Sequence, residues 1–339
     1  MLSSYDIEKM PLTELMHEAE KIRANTFDNC VDLCAIINIK SGHCSMNCRF
    51  CAQSGHYKTG INVYPLRDTN DLISSTRTIW QKGVHRVGWV ASGCKLSSAD
   101  LDNVLKAADE LFTHRQKLKS YESLSADNSN RNNNETEFHG ELCCASFGQL
   151  DTESLKRLKA SGFSHYHHNL ETSERFYPSI CTTQRWQDRL ATLNRVLELG
   201  WEVCSGGIFG LGETWEDRIQ LAQTLKKLDV KSVPLNFYNA IEGTPLSSRE
   251  PLSADECLRI VALFRIILQK ASLRICGGRP KIFGERVKEL FHAGADSLMT
   301  GNYATTNGIS PEHDRKLISE AGFFVTKNSK HEFTNISSK

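Results

Sequence analysis

The sequence lacks an excess of charge of either sign: 41 Lys and Arg stand against 40 Asp and Glu, for a formal net charge of +1. Recognition of phosphate leaves a basic footprint, so nucleic acid is excluded as the main partner. Long apolar runs are missing too. The best stretch, Ile260 to Leu268, is interrupted by Arg265 and falls far short of the ~20 residues that cross a bilayer. Met1 to Met10 contains Asp6 and Glu8 and no apolar core, so no signal peptide is expected. The setting these absences imply is cytoplasmic, with no membrane partner. What the chain has in surplus is cysteine, 12 in 339 residues. That is too sparse for a disulfide-stapled scaffold and numerous enough to need a reason in a reducing compartment.

Short β-rich runs alternate with helical stretches, the pattern of βα units around a parallel sheet. The runs are Asp32 to Ile39, His85 to Ala91, Glu141 to Phe147, His165 to Leu170, Glu202 to Phe209, Ser232 to Asn239, Leu273 to Cys276 and Ser297 to Gly301. They predict an α/β fold, one (β/α)8 TIM-type barrel over residues 31–306, with a helical extension over 1–30 and a C-terminal extension and tail over 307–339. Gly83, Gly162, Gly200 and Gly294 fall where the intervening helices should stop, as left-handed caps do. The fifth and last of these helices are predicted over Trp215 to Leu228 and Lys281 to Ala293. Residues 120–140 are polar, rich in Asn and Ser, and are expected to form a flexible insertion before the third strand.

The densest signal is Cys44-Ser-Met-Asn-Cys48-Arg-Phe-Cys51, directly after the first apolar strand. Three thiolates on one loop can hold three irons of a cubane and leave the fourth open to an exchangeable ligand. On the residues alone, a zinc site completed by His43 or His56 is an alternative. A second motif, Gly206-Gly-Ile-Phe-Gly-Leu-Gly-Glu213, follows the fifth strand. Glycine backbone there permits close approach of a ligand near a helix N-terminus, although an ordinary strand-to-helix turn reads the same way.

The CxxxCxxC spacing, with Phe50 before its last cysteine, resembles the radical S-adenosylmethionine superfamily. Further segments resemble the biotin synthase family within it: Lys40 to Ser54, Tyr57-Lys-Thr-Gly60, Tyr166-His-His-Asn-Leu-Glu-Thr-Ser173, Val203 to Thr214, Ser232 to Asn236 and Gly243-Thr-Pro-Leu246. The resemblance implies a 4Fe-4S cluster on Cys44, Cys48 and Cys51, with S-adenosylmethionine at its open iron. Reductive cleavage then gives a 5'-deoxyadenosyl radical that takes hydrogen from substrate. The implied reaction is conversion of dethiobiotin to biotin, with sulfur drawn from an auxiliary iron–sulfur cluster buried in the barrel. Phe50, Asn169, Glu171, Arg189, Gly206, Gly207 and Ile208 are implied as S-adenosylmethionine contacts, and His167 and Asn236 as substrate contacts. His167 stands where better-known members carry asparagine. An electron donor such as flavodoxin or ferredoxin, and a homodimer, are implied as well.

Familiar members hold a 2Fe-2S auxiliary cluster with three cysteines and one arginine. Cys144, Cys204 and Arg274 match three of those positions, but Gly88 stands at the fourth. A relocated set of Cys34, Cys144, Cys181 and Cys204, with Arg274 binding iron or balancing charge, is expected instead. That set favours a 4Fe-type cluster over 2Fe-2S. Cys94 is a further candidate just past the second strand, and Cys30, Cys143, Cys257 and Cys276 are assigned to packing as small hydrophobes. Two rival readings share the cysteine motif. One is another radical enzyme of the same group, methylornithine-forming or hydrogenase-maturing; the other is a non-enzymatic iron–sulfur protein.

Overall fold

In the computed structural model, residues 4–124 and 141–326 are described. Among the described residues, ten strands run β1 Cys30–Lys40, β2 Arg86–Ala91, β3 Glu141–Ser146, β4 His165–His167, β5 Glu202–Cys204, β6 Gly207–Phe209, β7 Ser232–Phe237, β8 Ser272–Ile275, β9 Ser297–Met299 and β10 Phe324–Val325. The helices are α1 Ser4–Lys9, α2 Leu12–Phe27, α3 Thr69–Gln81, α4 Ser98–Leu124, α5 Thr152–Ala160, α6 Trp186–Glu198, α7 Trp215–Lys227, α8 Ala254–Leu268, α9 Arg279–Phe283, α10 Glu289–His292 and α11 Pro311–Glu320. All strand pairs are parallel, and β1 pairs with both β2 and β9, so the sheet closes into the (β/α)8 barrel. β10 adds a short parallel pair at the start of β1. No described helix is long and apolar enough to cross a membrane.

Helix boundaries follow local chemistry. Asp68, Asp151, Thr214, Ser253 and Ser310 each accept a hydrogen bond from a backbone N–H in the first turn of the helix they precede, as N-caps do. Gly83, Gly162, Gly200 and Gly294 all have positive φ, between 63° and 106°, which is the left-handed stop that the sequence predicts.

Three boundaries depart from expectation. The run Glu202 to Phe209 splits into β5 and β6, because a Cβ on Gly206 would lie 1.9 Å from the Pro234 carbonyl oxygen. The chains approach so closely there that the ladder stops at Cys204–Ser232 and resumes at Gly207–Leu235. The helix expected over Lys281 to Ala293 breaks into α9, a 3-10 turn over Gly284–Lys288 and α10, with Gly284 at φ 50°. Finally, α4 continues to Leu124, so the first residues of the expected insertion are helical. Residues 125–140 and the tail from 327 lie outside the described residues.

Buried ion pairs tie the outer layer to the barrel. Arg265, the charge that interrupts the apolar face of α8, is fully buried and pairs with Asp296, while donating to the carbonyls of Gly294, Gln269 and Ala271. At the start of α9, Arg279 makes a two-pronged pair with Asp314 of α11 at 2.7 and 2.8 Å, both side chains being 0% exposed. Removing one member of such a pair strands the other charge. Asp314→Ala is therefore expected to cost about 3–5 kcal/mol in denaturant-induced unfolding, and a loss below about 1 kcal/mol would remove this bridge as the clip on α11.

Candidate functional site

The strands all point their C-terminal ends to one rim, and alternate side chains enter the lumen. On β1 this sends Asp32, Cys34, Ile36 and Asn38 to one face, ending in the Cys44–Cys51 loop above the rim. A cavity of about 310 Å³ occupies the lumen. Its upper wall includes Phe50 and Cys51, its lower wall Cys34, Gly88, Cys144, Cys204, Arg274 and Cys276, and Asn169, His167, Ile208 and Asn236 also line it. A second cavity of about 150 Å³ adjoins it, lined by Cys44, Cys48, Cys94, His168, Glu171 and Arg189 among others, with His167 and Asn169 shared by both.

The cysteine loop is held by its own backbone. Cys44 N donates to Gln53 O at 3.0 Å, Gly55 N to Cys44 O at 2.7 Å, and Cys51 N to Cys48 O at 3.0 Å. Burial pushes the Cys51 thiol up to about 11, while the backbone N–H groups of Gln53 and Ser54, both aimed at its sulfur, pull the other way. Donors directed at sulfur suit a thiolate bound to iron.

In the second cavity, Arg189 ties the wall together. Its Nε donates to Asn169 O at 2.6 Å, Nη2 to Glu171 Oε1 at 3.1 Å and Nη1 to Gln184 Oε1 at 2.9 Å. Asn169 Oδ1 accepts from Gly206 N at 3.0 Å, and its amide donates to Glu171 Oε2 at 3.3 Å. Glu171 sits at φ 70°, a strained conformation for a side-chain-bearing residue and one concentrated at functional sites. A Cβ on Gly207 would lie 2.4 Å from Glu171 O, so glycine is required opposite it. His168 is buried, and its Nε2 has no protein partner. A cation, a carboxylate, amides and an unpartnered imidazole around one cavity suit the zwitterion and hydroxyls of S-adenosylmethionine. The remaining glycines of the motif serve a different end. The backbone N–H groups of Gly210, Leu211 and Gly212 all bind the Glu213 carboxylate, which also pairs with Arg218.

At the floor, Arg274 is 2% exposed and donates through Nε to Ser297 Oγ at 2.7 Å, Nη1 to Ser232 Oγ at 3.3 Å and Nη2 to Asp32 Oδ2 at 2.9 Å. Above it, a hydrogen bond with Cys144 holds the Cys204 thiol well below the ordinary thiol range, against burial and with help from His167 and Arg274. His167 Nδ1 lies 3.3 Å from Cys204 Sγ, which places this histidine against the thiols. Asn236 donates to Gly207 O at 3.2 Å and accepts from Gly277 N at 3.1 Å while facing the cavity. Gly88 faces Cys144 directly, where a Cβ would stand 3.0 Å from Cys144 Cβ.

Two sequence-based assignments change. Cys181 is not among the floor thiols: the 3-10 turn Tyr177–Ser179 folds its segment back over the cysteine loop. There Arg49 N donates to Ile180 O at 2.9 Å, and Cys181 Sγ lies 3.6 Å from Thr183 Oγ1. Cys276, assigned to packing, lines the floor with Cys34, Cys144 and Cys204. It is two residues past Arg274, and strand alternation could have revealed it. Cys257 is buried in α8, Cys30 is half-buried at the start of β1, and the Cys143 side chain lies outside the described residues.

Comparison with known proteins gives residues 38–225 as a match to the radical SAM superfamily and residues 234–324 as a match to the Biotin and Thiamin Synthesis associated domain. A biotin synthase of Desulfovibrio desulfuricans is 44% identical over 316 residues, covering 93% of this chain and 92% of that protein. One of Campylobacter hominis is 42% identical over 325 residues, covering 96% and 93%. Among solved structures, methylornithine synthase matches with TM-score 0.76 at 18% identity, covering 96% of this chain and 94% of that one. The FeFe-hydrogenase maturase of Carboxydothermus hydrogenoformans matches with TM-score 0.76 at 16% identity, covering 96% and 76%. At such identities the two structures share the fold alone.

The Glu171–Arg189 pair generates a direct test, since both side chains are 12% exposed. Glu171→Gln keeps the shape and removes the counter-charge, and is expected to destabilise the chain by about 2 kcal/mol in thermal or urea unfolding. An unchanged midpoint would show that Arg189 does not depend on this carboxylate.

Proposed function

The chain belongs to the biotin synthase family of radical S-adenosylmethionine enzymes, and from that premise we propose that its barrel inserts sulfur between two carbons of dethiobiotin to give biotin, with the sulfur stored at the barrel floor. The observation that carries this reading is one continuous cavity reaching from Phe50 and Cys51 at the rim to four thiols over a buried arginine. A substrate lying between them has hydrogen abstraction on one side and sulfur on the other. When bound, the 4Fe-4S cluster and S-adenosylmethionine supply the carbon-centred radical that removes hydrogen from substrate.

The chain's own residues supply the rest. Cys44, Cys48 and Cys51 hold the radical cluster, and Glu171, Asn169, Arg189 and the backbone at Gly206 and Gly207 hold S-adenosylmethionine beside it. Phe50 and Ile208, which line the inner cavity, close the space between cofactor and substrate. Asn236 keeps one lone pair for a ureido N–H after accepting from Gly277. Ala35, Ile36, Val90, Phe237 and Met299 give the cavity apolar walls, which suit an aliphatic chain and keep water from a substrate radical.

For the auxiliary cluster we propose Cys34, Cys144, Cys204 and Cys276 as ligands. Arg274 is the counter-charge below them, because three of its donors are already engaged by Asp32, Ser232 and Ser297. Four thiols can hold a cluster of either type, and the 4Fe type is the one proposed over 2Fe-2S. Gly88 contributes space, since a side chain there would crowd Cys144. The same reading carries an electron donor of flavodoxin or ferredoxin type and a homodimeric, cytoplasmic enzyme.

Anaerobic incubation of the reconstituted chain with dethiobiotin, S-adenosylmethionine and reductant is expected to yield biotin. Cleavage of S-adenosylmethionine without biotin would favour another radical reaction. In the same assay, Cys276→Ala is expected to lose auxiliary iron and most biotin formation, whereas Cys181→Ala keeps auxiliary iron. The reverse pattern would return Cys181 to the floor set.

A further inference from the structure

Charges of the two signs balance over the chain as a whole, but not around the Cys44–Cys51 loop. Residues 41–67, which contain that loop, carry Arg49, Lys58 and Arg67 and no Asp or Glu. Residues 175–187 carry Arg175 and Arg185 and again no Asp or Glu. The fold stitches these two segments into one surface. Arg49 N donates to Ile180 O at 2.9 Å, Asn47 N to Thr183 Oγ1 at 2.9 Å, Asn47 Nδ2 to Thr182 Oγ1 at 2.7 Å, and Thr182 N to Asn47 Oδ1 at 2.9 Å. Lys58 is tied to the same loop from both sides, because Tyr57 Oη donates to Asn47 O at 2.5 Å and Thr59 Oγ1 to Ala52 O at 2.7 Å.

Part of this charge is neutralised from the neighbouring helices. Arg67, Arg175 and Arg185 pair with Asp71, Asp217 and Asp188, and Glu174 beside them accepts from Gln187 Nε2 at 2.5 Å. Arg49 and Lys58 are exposed. Arg49 reaches the Ser179 carbonyl at 3.3 Å, and no described carboxylate pairs with either cation. Arg49 stands directly between Cys48 and Phe50, and His43 and Ser45 of the same loop are exposed too. The unpaired cations therefore lie where the loop assigned to the radical cluster meets solvent. Electron transfer weakens steeply with distance, so a protein that reduces this cluster has to touch the face on which that loop is exposed.

Resting on the assignment of Cys44, Cys48 and Cys51 as cluster ligands, we propose that this face, with Arg49 and Lys58 at its centre, docks a small acidic electron carrier of flavodoxin type. One electron leaves the carrier's reduced flavin and enters the 4Fe-4S cluster, and no atom is transferred. Unpaired cations on one face speed the encounter with an acidic surface by long-range steering, which salt screens. Because the net charge of the chain is only +1, that steering comes from this patch and not from the charge of the molecule as a whole.

The test mixes photoreduced flavodoxin anaerobically with the reconstituted full chain and S-adenosylmethionine, and follows flavodoxin oxidation by stopped flow at increasing ionic strength. The second-order rate constant is expected to fall with salt. Arg49→Glu and Lys58→Glu are each expected to lower it about tenfold at low salt and to flatten its salt dependence. Formation of 5'-deoxyadenosine with dithionite, which needs no docking, is expected to stay at the wild-type level in both. Lys226→Glu, in the last turn of α7 at the opposite end of the barrel, is expected to change neither quantity. The proposal is overturned if both patch variants keep the wild-type constant, or if Lys226→Glu lowers it as much. It is overturned too if dithionite-driven cleavage falls in step in both, which would mean damage to the loop. Wild type that cleaves S-adenosylmethionine with dithionite but takes no electron from flavodoxin also overturns it and leaves the proposed function standing. Absence of cleavage with either reductant removes the radical-cluster assignment, and the proposal with it.

Discussion

A guanidinium at the floor of a closed barrel sets the terms for everything above it. Arg274 is 2% exposed, and among the described carboxylates Asp32 is the one that pairs with it directly. A charge in so dry a place must be compensated, and Asp32 divides itself between Arg274 and Arg86. The thiols that converge above Arg274 can carry the remaining negative charge, as thiolates or as ligands of iron. The Cys204 thiol is held below its usual range chiefly by its hydrogen bond with Cys144, with His167 and Arg274 adding to it.

Strand geometry then separates the two chemistries. Cys34 and Cys44 are ten residues apart on one continuous segment, the first inside β1 and the second past its end. A parallel barrel thus places one group of cysteines within the lumen and the other at its rim, with the cavity between them. The second cavity is walled by Arg189, Glu171 and Asn169, and Asn169 and His167 line both cavities. The two cavities therefore share side chains without merging.

Much of this was legible in the sequence, for identifiable reasons. The cysteine triad is contiguous, so its spacing is its geometry. The barrel declares itself by alternation of period, and the helix stops by four glycines. Asn169 and Glu171 sit at a strand end, where side chains of a barrel reach the site. The misreading of Cys181 has a physical cause, because it lies beyond the strand in a turn that folds back over Cys48, and alternation says nothing about a turn. Cys276 was missed although alternation with Arg274 placed it in the lumen. The break at Gly206 and the capture of three glycine-loop amides by Glu213 depend on close approach of distant segments, which no local pattern encodes.

The central claim is that four lumen thiols, with Gly88 leaving room beside Cys144, hold a second cluster of four-iron type below the radical cluster. Iron and sulfide counts on the anaerobically reconstituted chain, with Mössbauer typing of each component, test it most directly. The account expects about eight irons per chain in two four-iron clusters. About six irons with a two-iron component, or about four irons in one cluster, would contradict it.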